Sequence, residues 1–170
     1  MSQQGVTFPS KGPAAQPRVT AQIQINGQWK SYNGIMDSGN DLNLITLQTA
    51  QQLGITPQMG QKNFKVQFGH SQNEAHNFYM IQTMMRFGNL KPFMAKVGVG
   101  PVRENLIGRT DVFQHHDIVF PAGGGVKMYQ SSPDKNTFGV NFQPGYMNQF
   151  QNQHRGTQYR GVGIAPANFV

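Results

Sequence analysis

Apolar and polar side chains alternate along much of the chain between residues 18 and 120. From Val19 to Ile25 every second residue is apolar, which is the period of a half-buried β-strand. The dipeptide Asn26-Gly27 follows and favours a two-residue hairpin turn. We therefore predict a strand that ends at Ile25 and a returning strand over residues 28–33.

The remaining apolar segments are short and are separated by turn residues. They predict strands over residues 42–47, 64–68, 78–87, 93–99 and 118–120, and single helical turns over residues 49–53 and 110–114. Many short strands at regular spacing, with almost no helix, indicate an all-β sandwich or barrel.

The two flanks differ in composition from this central region. Residues 1–17 contain three prolines and two glycines, so we expect a flexible leader without a regular element. Residues 121–170 are rich in Gly, Gln, Asn and Pro, and such a segment cannot bury enough apolar surface to order itself. We predict a domain over residues 18–120, followed by a tail that is disordered or docks on a partner.

Composition excludes some classes of protein and leaves others open. There is no cysteine, so neither a disulfide framework nor thiolate chemistry is available. No apolar run is long enough to span a bilayer, and no secretory signal precedes the domain. We therefore expect no membrane association and a location inside a cell or within a virus-like particle.

The chain is basic, with a formal net charge of +7. Such a charge suits an anionic partner such as RNA, and the pairs Arg155-Gly156 and Arg160-Gly161 in the tail resemble weak RNA-binding segments. The charge is spread without any Lys/Arg run, however, so general solubility explains it equally well. A weak RNA contact through the tail stays an open prediction.

Histidines are the only other candidates for metal binding. The four within or beside the predicted domain are His70, His76, His115 and His116. No cysteine or carboxylate accompanies them at the spacing of a metal site. We therefore predict that they are surface residues and that the protein needs neither metal nor cofactor.

The most distinctive stretch is Asp37-Ser38-Gly39, which lies between two apolar segments. Glycine permits a sharp turn and close approach by other backbone, and the Ser38 hydroxyl can donate or accept a hydrogen bond. This pattern holds a carboxylate on a tight turn between buried strands. It suits a catalytic acid, and equally a simple Asx turn that joins two strands.

The order of the motifs separates these alternatives. The Asp-Ser-Gly turn is followed by a long hairpin with a polar tip and then by Leu106-Ile107-Gly108. This arrangement resembles the retroviral and LTR-retrotransposon aspartic proteases, the retropepsins. The resemblance extends over most of residues 18–120. Its parts are a first hairpin at 19–30, a catalytic loop at 35–41, a strand at 91–101 and a glycine motif at 105–109.

The resemblance implies a retropepsin-like closed β-barrel or sandwich with one short C-terminal helix and a flap hairpin. It also implies an aspartic endopeptidase in which Asp37 is catalytic. This reaction needs two adjacent carboxylates that share one proton. Only Asp37 is followed by Ser/Thr-Gly, so the second carboxylate must come from another copy in a C2 homodimer.

The family pattern also assigns supporting roles. Ser38 would bond across the dimer, Gly39 would contact the substrate backbone, and Asp41 would form an ion pair with Arg109. The motif Leu106, Ile107 and Gly108 would pack under the catalytic loop, and the flap would include Gly69, His70, Ser71 and Gln72. Asn40 departs from the family, which usually has alanine there, so the neighbouring subsite is expected to differ.

Two aromatic-proline bonds, Phe8-Pro9 and Phe120-Pro121, lie at the edges of the predicted domain. Retropepsins cut such bonds to release themselves from a polyprotein, although prolines in linkers would give the same pattern. Three functional hypotheses remain. They are a protease that matures the polyprotein of a retroelement, a cellular protease derived from one, and a catalytically silent dimerisation module whose tail binds RNA or capsid-type partners.

Overall fold

A computed structural model describes residues 5–10, 12, 15–67 and 75–131. The strands in these residues are β1 (Gly5–Phe8), β2 (Arg18–Ile25), β3 (Gln28–Met36), β4 (Asn43–Thr46), β5 (Lys62–Gln67), β6 (Ala75–Arg86), β7 (Phe93–Gly100), β8 (Leu106–Ile107), β9 (His116–Val119) and β10 (Val126–Gln130). The helices are α1 (Leu47–Leu53) and α2 (Val112–His115), and Pro57–Met59 form one 3-10 turn. The mainly β architecture agrees with the sequence pattern.

The larger sheet contains seven strands in the order β2-β3-β8-β4-β7-β6-β5. β2 also pairs with β6 through Gln22–Arg86 and Ile23–Met85, so the sheet curves strongly. The short strand β8 lies between β3 and β4 and pairs in parallel with β3. This insertion brings the residues around 107 against the chain segment that connects β3 to β4.

The β2–β3 hairpin forms as the sequence predicts. Ile25 pairs with Gln28, and Asn26 and Gly27 both have positive φ angles of 51° and 78°. Two consecutive positive φ values are those of the type I′ turn that Asn-Gly favours. The apolar residues of β2 are buried in the main core, as the alternation requires. β3 continues to Met36, beyond the predicted end at residue 33.

A second sheet corrects the predicted flanks. It has three strands in the order β1-β10-β9, so the predictions that no regular element precedes residue 18 and that the segment after 121 is disordered are wrong for Gly5–Phe8 and Val126–Gln130. Val126 and Met128 are completely buried. Each strand is short and flanked by Gly or Pro, and it is stabilised by long-range pairing that a local pattern does not reveal.

The helices found in the described residues are all short. α1 begins after Thr46, whose hydroxyl accepts a hydrogen bond from the Thr49 amide, and ends at Gly54 with φ of 80°. Within the part of the chain that the structure describes, no helix is long and apolar enough to cross a bilayer.

Candidate active site

Asp37 lies on the turn that connects β3 to β4. Its backbone amide donates to the carbonyl of Ile107 at 2.8 Å, and its carbonyl accepts from the Asn40 amide at 3.1 Å. The Gly39 amide donates to Asp37 Oδ1 at 3.0 Å. A backbone amide of the same turn therefore binds the Asp37 carboxyl, and the Asp37 amide joins the turn to β8.

The surroundings of Asp37 favour its protonated form. Burial raises the pKa of this carboxyl above its ordinary value, and the Gly39 amide and the positive charge of Arg109 lower it in part. Desolvation is thus stronger than the two interactions that favour the anion. A carboxyl with a raised pKa keeps its proton to higher pH than a free aspartic acid, which is a property that suits general acid catalysis.

The glycine motif supports this turn. Leu106 and Ile107 are buried and pair in parallel with Ile35 and Met36 at the end of β3. A Cβ atom on Gly108 would lie 2.2 Å from the Leu42 carbonyl oxygen and 2.6 Å from the Asn40 carbonyl oxygen. Both atoms belong to backbone that cannot rotate away, so only glycine fits under the loop.

Arg109 and Asp41 are also brought together. The Arg109 guanidinium donates to the Asp41 carboxylate. The Arg109 amide donates to the Asn40 carbonyl, and the Thr110 amide donates to the Asp41 carbonyl, both at 2.9 Å. Residues 109–110 are thus bound to the loop that follows Asp37 by backbone as well as by side-chain hydrogen bonds.

Two loop residues differ in exposure. Ser38 is exposed on the outer side of the turn, whereas Asn40 is completely buried. Asn40 Oδ1 accepts from the Leu42 amide at 3.3 Å, and among the described residues its Nδ2 has no hydrogen-bond partner. Asn40, where the resembling family usually has alanine, therefore places an unsatisfied donor inside the loop.

Asn43 and Asn105 also bond to the site, and the sequence pattern did not assign them a role. Asn105 Oδ1 accepts from the Thr46 amide at 2.9 Å, and its Nδ2 donates to the Asn33 carbonyl at 2.8 Å. Asn43 is buried in β4 and makes three hydrogen bonds, one to β7 and two to the segment after β8. The sequence does contain a signal for Asn43, because it is the only polar residue in the apolar segment 42–45.

The predicted flap lies only partly within the described chain. β5 and β6 form a hairpin whose pairing runs from Lys62–Met80 to Gln67–Ala75. The predicted tip residues Gly69, His70, Ser71 and Gln72 fall in the loop between them, outside the described residues.

The histidines that the structure describes near the site make protein contacts. Nδ1 of His115 lies 2.6 Å from the Asp111 carbonyl, and Nδ1 of His116 lies 2.8 Å from the Val112 carbonyl. His116 is buried, contrary to the prediction of a surface residue, because its ring packs against Phe93. Residues 5–67 and 75–131, as far as they are described, contain no cluster of three or more His, Asp or Glu placed to hold a metal ion.

The two aromatic-proline bonds lie beside the smaller sheet. Phe8 ends β1 and pairs with Val126 of β10. Phe120 follows β9 and is 44% exposed, and the Pro121 carbonyl accepts from the Gly124 amide at 2.9 Å in a tight turn. One bond therefore follows the last residue of β1, and the other lies between β9 and β10.

Comparison with known proteins identifies the fold. The structure matches a crystal structure of a retropepsin-like aspartic protease from Rickettsia conorii with a TM-score of 0.56 and 16% sequence identity, covering 75% of this chain and 92% of that one. No protein-family model matches the sequence, and a search of curated proteins finds no match. The likeness shows that this chain has a retropepsin-like fold.

Proposed function

We propose that the protein is an aspartic endopeptidase that acts as a homodimer. The observation that carries this proposal is the Asp37 turn. Its backbone is held on Ile107, and its buried carboxyl has a raised pKa, in a fold shared with a retropepsin-like aspartic protease. The same turn in an unrelated fold would be weak support, because Asx turns are common.

The chemistry requires two copies of Asp37. One carboxylate takes a proton from water as the oxygen attacks the peptide carbonyl, and the other carboxyl, still protonated, donates to that carbonyl oxygen. Proton transfer to the leaving nitrogen then breaks the C–N bond. Two close carboxylates share one proton because both cannot ionise together, and the pair titrates as a unit. One chain has a single Asp-Ser-Gly, so a second copy completes the site.

The surroundings of the turn are consistent with this arrangement. Ser38 is exposed in the single chain and is available to bond with a second copy beside the carboxylates. The β5–β6 hairpin would form the flap that closes on an extended peptide and excludes water. Gly39 is half-buried, and its carbonyl would accept from the substrate backbone.

We further propose that the natural substrate is a polyprotein and that Phe8-Pro9 and Phe120-Pro121 are sites of self-release. Their positions have a structural consequence. Cleavage at Phe120-Pro121 would leave β10 attached only by its pairing with β1 and β9 and by the burial of Val126 and Met128. The product would therefore be a nicked protein rather than one that has lost the segment.

The activity can be tested with a fluorogenic peptide at acidic pH, where two adjacent carboxyl groups can share one proton. We expect cleavage that pepstatin inhibits and that Asp37→Asn abolishes. Glu104→Gln is the matched control, because this exposed carboxylate pairs with Arg18 at the surface. Specific activity should also fall on dilution as the dimer dissociates. A wild-type dimer that cleaves no peptide would instead support the silent dimerisation module.

A further inference from the structure

Asn43 occupies an unusual position for a polar side chain. It is the first residue of β4 and is 1% exposed. A buried amide is stable only where its donors and acceptor are paired. Here Nδ2 donates to the Lys96 carbonyl and to the Thr110 carbonyl, each at 3.1 Å, and Oδ1 accepts from the Gly108 amide at 3.0 Å.

The three partners also fix the orientation of the amide. Two of them are carbonyl oxygens and one is a backbone N–H, so exchanging Oδ1 and Nδ2 would set like groups against each other at all three contacts. The side chain therefore joins β4 to β7 through Lys96, and to the segment after β8 through Gly108 and Thr110, in one fixed geometry.

This segment is the one that supports the catalytic turn. The carbonyl of Ile107 accepts from the Asp37 amide, and the next residue, Gly108, is the one that Asn43 binds. On its other side, Gly108 touches the backbone of Asn40 and Leu42. A shift of Gly108 would consequently move both the support under Asp37 and the loop that follows it.

We propose that Asn43 is a positioning residue for the proposed peptide hydrolysis and acts on Asp37 through Gly108 and Ile107. The inference rests on the proposed protease function. Asn43 itself does not touch the reacting atoms. It holds the peptide groups of residues 107–110 in the position that supports the Asp37 turn. Loss of the Asn43 amide would displace the Asp37 carboxyl from the geometry that two carboxylates need to share a proton.

The test compares three variants with the wild-type protein. Asn43→Leu has the same branched arrangement of side-chain heavy atoms and removes all three hydrogen bonds. Asn43→Thr keeps one hydroxyl that can donate to a carbonyl and accept from the Gly108 amide. Asn89→Leu is the control, because Asn89 is exposed in the turn between β6 and β7, at the opposite end of β6 from the proposed flap.

We expect kcat to fall about a hundredfold in Asn43→Leu, the size of loss that a misplacement of about 1 Å produces, with KM within about threefold of the wild-type value. Asn43→Thr should recover part of kcat, and Asn89→Leu should match the wild type. All comparisons are made below the melting temperature of each variant. An unchanged kcat in folded Asn43→Leu would overturn the inference, and Asn43→Thr decides in the same way if the leucine variant does not fold.

A second readout separates this inference from the proposed function. The Gly39 amide donates to Asp37 Oδ1, so its NMR chemical shift and hydrogen exchange report the geometry of the turn without any turnover. We expect both to change in the Asn43 variants and not in Asn89→Leu. If the wild-type protein is inactive, the protease proposal fails, while this measurement still decides whether Asn43 positions the Asp37 turn. An unchanged Gly39 amide would contradict that role.

Discussion

The backbone amide of Asp37 donates a hydrogen bond to the carbonyl of Ile107 at 2.8 Å. Asp37 belongs to the Asp-Ser-Gly turn and Ile107 to the glycine motif, the two motifs that resemble those of retropepsins. The structure brings these two motifs into direct contact. The contact is possible because β8 is inserted between β3 and β4. The catalytic loop of the proposed protease is therefore supported by a strand of only two residues, so substitutions around β8 should affect the site strongly.

Gly108→Ala should destabilise the protein and lower activity. The added methyl group would lie 2.2 Å from the Leu42 carbonyl oxygen, and overpacking of this kind costs about 1–3 kcal/mol or more of unfolding free energy. Gly123→Ala is the matched control, because a methyl group there would meet nothing within 4 Å. Urea denaturation of both variants measures the difference. Equal stability would show that residues 40–42 move aside easily.

Arg109→Gln should raise the pKa of Asp37 further. The Arg109 charge lowers that pKa in the wild-type protein, so its removal leaves burial less opposed and the carboxyl should keep its proton to higher pH. Titration of the Asp37 side-chain carboxyl by NMR measures the shift. Arg18→Gln serves as the control, because Arg18 pairs with Glu104 at an exposed site and such pairs contribute about 0–1 kcal/mol. A downward shift in Arg109→Gln would refute this electrostatic assignment.

Asp37→Asn should stabilise the protein at neutral pH and not below pH 3. The folded protein holds the Asp37 proton more tightly than the unfolded chain, where the carboxyl has a pKa of 3.8. As pH rises from there through the raised folded pKa, the unfolded state binds fewer protons than the folded state, so the free energy of unfolding of the wild type falls. Asparagine does not titrate and can keep the acceptor for the Gly39 amide.

Chemical denaturation at pH 3 and pH 7, at one protein concentration, measures this difference. Glu104→Gln should show no comparable gain at neutral pH, because its carboxylate is exposed. A loss of stability in Asp37→Asn at pH 7 would mean that the ionised carboxylate is favoured by its surroundings.

Truncation after Phe120 should severely destabilise the domain, whereas truncation after Ser131 retains every strand that the structure describes. The shorter chain loses β10, including the fully buried Val126 and Met128. Burying side chains of this kind contributes roughly 1.5–3 kcal/mol each. Thermal melting of the two truncated proteins tests the boundary. If the chain ending at Phe120 melts like the one ending at Ser131, β10 is dispensable for folding.

Local features of the sequence predict much of the larger sheet. The alternation before Ile25 and the Asn26-Gly27 turn define the first hairpin, because strand period and turn type depend on neighbouring residues alone. The Asp37-Ser38-Gly39 turn is likewise visible, because Asp, Ser and Gly between two apolar segments indicate a turn between two strands. The glycine motif is visible as a pattern, and its packing under the turn is expected only from the resemblance to retropepsins.

The tertiary structure decided the long-range relationships. The position of β8 and the pairing of β1 with β10 join residues far apart in the chain. A strand partner is selected by the packing of the whole sheet, so a short segment between glycines and prolines carries little local sign of it. Asn43 shows the same limit, because an amide in a buried strand is explained only when the three backbone groups around it are in place.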